Sequence, residues 1–114
     1  MGGTRAVIVA MLALAGLAGC DGKEAAAPVK LDARLAGIYA RTCETCHQNA
    51  DTGAPQAHNL VQWKPRAAQG DAVLLDHVVN GFGGMPPLGQ CIECTAEDLT
   101  ALIHFMSSPA PVAQ

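Results

Sequence analysis

Between Leu31 and Ser107 the apolar positions recur at helical spacing in three stretches, and no alternation of period two persists long enough to predict a strand. The first stretch runs from about Leu31 to Thr42 and places Leu31, Leu35, Ile38 and Tyr39 on one face. The second begins near Asp71, read as an N-cap, turns Leu74, Leu75, Val78 and Val79 inward, and stops at Gly81. The third is the sharpest. Thr95 followed by Asp98 three residues later predicts a capping box with a shorter acid than the usual Glu, and Leu99, Leu102, Ile103 and Met106 form the stripe behind it. Loops rich in Gly and Pro, Gly53 to Pro55 and Gly83 to Gly89, lie between these helices. The pattern predicts one all-α domain over residues 30–107, with long loops that need something to hold them. There is no internal repeat beyond two CxxC pairs.

Ahead of the domain the pattern changes. Arg5 gives a positive start, and Ala6 to Gly19 is an unbroken run of apolar and small residues. That run falls short of the ~20 residues a membrane-spanning helix needs, so residues 1–19 read as an export signal. Leu17-Ala18-Gly19-Cys20 resembles a bacterial lipoprotein box, in which the Cys is lipidated and becomes the new N-terminus. A lipidated Cys20 would hold the protein on a membrane face outside the cytoplasm, where disulfides persist. Asp21 to Val29 has no apolar period, so residues 20–29 read as a tether reaching at most ~30 Å. Residues 108–114, with Pro109 and Pro111, read as a disordered tail.

Composition adds two constraints. The 114 residues are half apolar, yet contain one Trp, one Tyr and two Phe, which is thin for a core in so short a chain. A domain of this size usually needs a staple such as a disulfide, a metal or a bound prosthetic group. The formal net charge is -3, and it becomes -4 once Arg5 leaves with the signal, which argues against nucleic acid as a partner.

Five cysteines supply the chemistry: Cys20 alone, Cys43 with Cys46, and Cys91 with Cys94. Cys43-Glu44-Thr45-Cys46-His47 is CxxCH, the attachment sequence of c-type haem. Two thiols add across the two vinyl groups of the porphyrin, two intervening residues let one turn of chain reach both, and the next residue, His47, lies under the iron. Zinc ribbons and redox dithiols also contain CxxCH, but its place at the end of a helix, behind an export signal, selects haem. The sixth iron ligand should be a soft sulfur or a second imidazole. Met85 fits, because the flanking glycines allow close backbone approach and Pro86 and Pro87 stiffen the loop. His58, in a loop, is the rival; His77 and His104 fall within helices, where a packed or solvated histidine is the ordinary explanation.

The combination of CETCH, GAP at 53–55, WKPR at 63–66, GFGGMPP at 81–87 and CIEC at 91–94 resembles the cytochrome c5 family of class I c-type cytochromes. The resemblance spans nearly all of residues 31–107. It implies a small helical bundle wrapped on one covalent haem c, with the first and last helices crossing at Tyr39. It implies that the Pro55 carbonyl receives the ring N–H of His47, and that Trp63 and Arg66 lie near a haem propionate. Leu35 stands where the family usually carries Gly, which leaves Gly37 to take the close contact. Cys91-Ile92-Glu93-Cys94 has no following His; family members carry a disulfide here, with a redox pair or a zinc site built from both CxxC pairs as the alternatives.

The expected function is that of a single-electron carrier rather than an enzyme, facing the periplasm and anchored through Cys20. Its expected partners are a respiratory complex, a terminal oxidase or a reductase. The alternatives are a haem subunit of a larger oxidoreductase, or a five-coordinate gas sensor or peroxidase.

Overall fold

In the computed structural model, which describes residues 26–112, Asp32 opens the first helix by accepting the backbone N–H of Leu35 at 2.8 Å. The leader, Cys20, residues 20–25 of the tether and the last two residues of the tail lie outside the described residues. Helix α1 (Ala33–Thr42) is followed after one residue by the single turn α2 (Glu44–His47) and a 3-10 turn at Ala50–Thr52. Then come α3 (Leu60–Ala67), α4 (Asp71–Asn80), a second 3-10 segment at Pro87–Gln90 and α5 (Ala96–Ser107). Among the described residues the nearest thing to a strand is an isolated bridge between Phe82 and Met85. No helix among them is long and apolar enough to cross a membrane.

The core forms where α1 packs on α5. Leu35, Ile38 and Tyr39 join Leu102 and Met106 in one cluster, with Trp63 and Cys91 completing it. Tyr39 meets Phe105 edge to face with ring centroids 5.0 Å apart, and its hydroxyl accepts from the Gln48 amide at 3.1 Å. The expected role of Tyr39 at this junction is therefore met. Gly37 is not the close contact: a Cβ placed there would meet only the flexible end of Arg41. Leu35 itself is buried, so a branched side chain fills the space where a glycine was expected.

Helix α5 matches its sequence pattern throughout. The Thr95 hydroxyl accepts from Asp98 N at 3.2 Å, Asp98 Oδ2 accepts from Thr95 N at 3.1 Å, and Leu99, Leu102, Ile103 and Met106 are all buried. Asp98 has a second task. Its carboxylate takes both terminal nitrogens of Arg34, which ties the start of α5 to α1. The Arg34 guanidinium, then the Thr95 N–H, hold the Asp98 carboxyl below its ordinary range. A depressed folded pKa means the stabilisation is complete above the unfolded value of ~3.9 and is lost as pH falls through the folded value. Thermal melts between pH 7 and 2.5 should therefore fall more steeply below pH ~4 in the wild type than in Asp98→Asn. Parallel curves would remove this ion pair from the account of acid stability.

Four sequence expectations need correction. The first helix starts at Ala33, with Asp32 as cap and Leu31 packed only from its flank. Gly70, not Asp71, is the N-cap of α4; Asp71 is the first helical residue, where its carboxylate suits the helix dipole and accepts from His104 Nε2 at 2.8 Å. Val79 points out, at 39% exposure. Ser108 is not a loose tail residue, since it is buried and its hydroxyl accepts the N–H of Val29 at 3.1 Å.

Candidate functional site

One residue separates α1 from α2, and this brevity builds the first wall of the site. Cys43 donates its N–H to Tyr39 O and accepts from the N–H groups of Cys46 and His47 at 3.2 and 3.0 Å. A single tight turn therefore carries both thiols and the imidazole to one place. The thiols are free, Cys43 half-buried and Cys46 exposed. Burial pushes the Cys43 thiol up, and the Thr42 hydroxyl 3.3 Å away acts in the opposite sense.

His47 is buried, with its Nδ1 2.8 Å from the carbonyl of Pro55. An N–H facing a carbonyl must donate, so the proton sits on Nδ1 and Nε2 keeps its lone pair for a metal. The loop is closed from behind by Ala57 N donating to His47 O at 2.7 Å. Trp63, on α3, lies nearly parallel to the imidazole with centroids 6.0 Å apart and gives its indole N–H to Gln56 O at 2.9 Å. That N–H is thus already paired, and Trp63 presents a packed face to the imidazole. Arg66 lines the same cavity, with one guanidinium nitrogen donating to Gln62 O at 2.5 Å.

The second wall is the loop after α4. Phe82 N donates to Met85 O at 3.1 Å and Met85 N donates to Phe82 O at 2.9 Å, closing a hairpin over Gly83 and Gly84. Gly81 is required here: φ is 82°, and a Cβ would stand 2.9 Å from Met85 O and 3.1 Å from Pro87 N. Further on, Gly89 lets the chain pass behind the thioether, since a Cβ there would lie 3.3 Å from the Met85 methyl. The segment then reaches Cys91, which is fully buried and paired with Cys94 ahead of α5. That pairing leaves neither sulfur for zinc, and no group of three or more potential metal ligands of the His, Cys, Asp and Glu kind occurs among the described residues.

Between the walls is a cavity of about 660 Å³. Cys43, Cys46, His47, Pro55, Trp63, Arg66 and Met85, every one of the expected cofactor contacts, line it together. No Asp or Glu lines it, and Arg66 is its one formal charge. Two thiols, an imidazole nitrogen, a thioether and a lone cation in a largely apolar cleft fit a haem: the thiols would meet its vinyl groups, His47 and Met85 would bind its iron, and Arg66 would balance a carboxylate. His58 and His104 stand outside the cavity; His58 Nδ1 is 2.9 Å from Ser108 O instead. His77 does line it, stacked on Phe82; the sequence set His77 aside as an ordinary helical histidine, and Phe82 entered only within the GFGGMPP motif. The available signal was an aromatic inside a Gly/Pro loop, five residues after a histidine on an inward-facing helix.

Residues 31–106 match the family model described as cytochrome C oxidase, cbb3-type, subunit III. Cytochrome c5 of Ectopseudomonas mendocina is 33% identical over 72 residues, covering 61% of this chain and 83% of that protein. Cytochrome c5 of Azotobacter vinelandii is 36% identical over 72 residues, covering 61% and 87%. A solved mono-heme ferrocytochrome c from Shewanella putrefaciens superposes with a TM-score of 0.60 at 40% identity, over 72% of this chain and 100% of that one. A chain from the electron transfer complex of nitrite reductase with cytochrome c does so with a TM-score of 0.60 at 32% identity, over 68% and 95%.

Proposed function

The chain belongs to the class I c-type cytochromes, alongside cytochrome c5, and on that premise we propose that Cys43, Cys46, His47 and Met85 hold its one covalent haem for single-electron transfer. The observation that carries this reading is the convergence of two free thiols, an oriented imidazole and a thioether on one cavity without a carboxylate. Bound there, the haem supplies an iron that cycles between ferric and ferrous forms, and a His/Met pair favours the ferrous one.

The protein's part is to keep that geometry fixed through the cycle. The two cysteines anchor one edge of the cofactor, and the Pro55 carbonyl stops His47 from rotating. The hairpin at Phe82–Met85 and the Cys91–Cys94 pairing fix where the thioether points. Held by both His47 and Met85, an iron would have no open position for a substrate, which supports carrier function over substrate chemistry or gas sensing. Arg66, the one formal charge lining the cavity, would balance a propionate, with Trp63 as the packed wall beside His47.

Encounters with partners are small and brief in redox pairs. The solved neighbour in a complex with nitrite reductase supports a redox enzyme as partner, and we assign that role to a reductase, terminal oxidase or respiratory complex on the same membrane. The anchor is a lipidated Cys20 and the compartment the periplasm, a reading supported by the leader sequence and by a disulfide that needs oxidising surroundings. The family model, described from an oxidase subunit, favours as a second reading that the chain is a fixed subunit; co-purification in a stable complex from solubilised membranes separates the two.

The test is an absorption spectrum of protein made with haem-attachment machinery, purified under denaturing conditions and refolded. Haem retained through denaturation, sharp low-spin reduced bands and a thioether-to-iron band in the oxidised form are expected. A colourless protein overturns the reading, and a coloured high-spin one moves it to ligand binding.

A further inference from the structure

Gly81 and Gly89 back the Met85 end of its hairpin, whereas the tip and the Phe82 end have little around them. The tip is bare: a Cβ at Gly83 or Gly84 would meet nothing within 4 Å. Residues 82–85 carry just two side chains, those of Phe82 and Met85. Phe82 is 62% exposed, so burial does not hold it. It is instead stacked on His77, with ring centroids 4.0 Å apart and planes 19° from parallel. His77 stands on α4, which packs against α5 and against the 3-10 segment that follows the hairpin. The paired backbone bonds make Phe82 and Met85 move as one unit, so whatever fixes Phe82 fixes Met85.

We propose that His77 is a positioning residue for the sixth ligand: its ring, stacked on Phe82, keeps the Met85 hairpin closed over the cavity. The stack is a brace on α4, which is itself part of the body of the protein. Removing the brace raises the fraction of molecules in which the thioether has left the iron. The inference rests on Met85 as the iron ligand.

An aromatic pair of this kind changes an equilibrium by roughly two- to twelvefold. The experiment uses the oxidised, haem-loaded chain and titrates it with cyanide, which binds only when Met85 is displaced, while following the thioether-to-iron band. His77→Ala and Phe82→Ala should each tighten apparent cyanide binding by that factor, and the double variant should add little to either single one. His77→Phe, which keeps a flat ring, should restore wild-type behaviour. Arg34→Ala, which weakens the α1–α5 tie away from the cavity, is the stability control and should leave cyanide binding unchanged.

Wild-type affinity in His77→Ala overturns the proposal, as does failure of His77→Phe to rescue, or an equal tightening in Arg34→Ala at matched stability. A wild-type protein that lacks the thioether band overturns the Met85 assignment and this proposal with it. A normal band with unresponsive variants overturns this proposal alone.

Discussion

Met85→Ala is expected to abolish the thioether-to-iron band, to open the ferrous protein to carbon monoxide at neutral pH and to lower the reduction potential by on the order of 100 mV. The reasoning begins with the soft sulfur. A thioether donates weakly to ferric iron and better to ferrous iron, so its removal destabilises the reduced form more than the oxidised one. The cavity offers one complication. His77 lines the same space, and a hairpin freed by the substitution could let its imidazole reach the iron. That outcome keeps the spectrum low-spin but still removes the thioether band and still lowers the potential. Met85→Ala combined with His77→Phe removes the substitute, so high-spin spectra and fast carbon monoxide binding should follow. An unchanged oxidised spectrum in Met85→Ala would show that Met85 is not the ligand.

Met85 was legible in the sequence because its surroundings have no use in an ordinary surface loop. Glycine on one side and two prolines on the other specify a backbone that approaches something closely and then stays put. Helix α5 was legible for a different reason. Its stripe packs on protein, chiefly on α1, and a partner made of side chains writes its period into both sequences. Helix α3 was not read at all. Of its eight residues only Trp63 is buried, Val61 is 86% exposed, and Pro65 falls inside it, so no apolar stripe forms. Its inward face looks onto His47 and the cavity, and a partner absent from the chain leaves no periodic trace.

Helix α4 shows the same effect in milder form. Leu74 is buried, but His77 and Val78 face the cavity and Val79 faces out, so its apolar residues overstate its protein contacts. The sequence of this domain therefore reads most clearly where protein meets protein and least clearly where protein meets cofactor. The exceptions are the residues proposed for covalent or coordinate contact with the cofactor, whose chemistry constrains identity rather than period. Cys43, Cys46 and His47 are legible at once for that reason. His77 and Phe82, which meet the site by packing alone, carry no such constraint, and His77 reads in the sequence as an ordinary helical histidine.

The same division predicts the larger consequence of losing attachment. Four of the ten buried hydrophobic side chains of the described core, Trp63, Leu74, Ile103 and Met106, line the cavity, so the core is unfinished without its occupant. The disulfide at Cys91–Cys94 closes too short a loop to offset that. Cys43→Ala with Cys46→Ala should therefore yield a chain that emerges colourless from denaturing purification and shows the far-ultraviolet circular dichroism of an unfolded protein on return to buffer. Either single variant keeps one thioether bond, so it should remain coloured and folded, with reduced bands shifted by the one unsaturated vinyl group. Haem that survives denaturation in the double variant would place the attachment elsewhere. A colourless double variant that still folds with its full helix content would mean that the helices pack without their cofactor and that the cavity closes on itself.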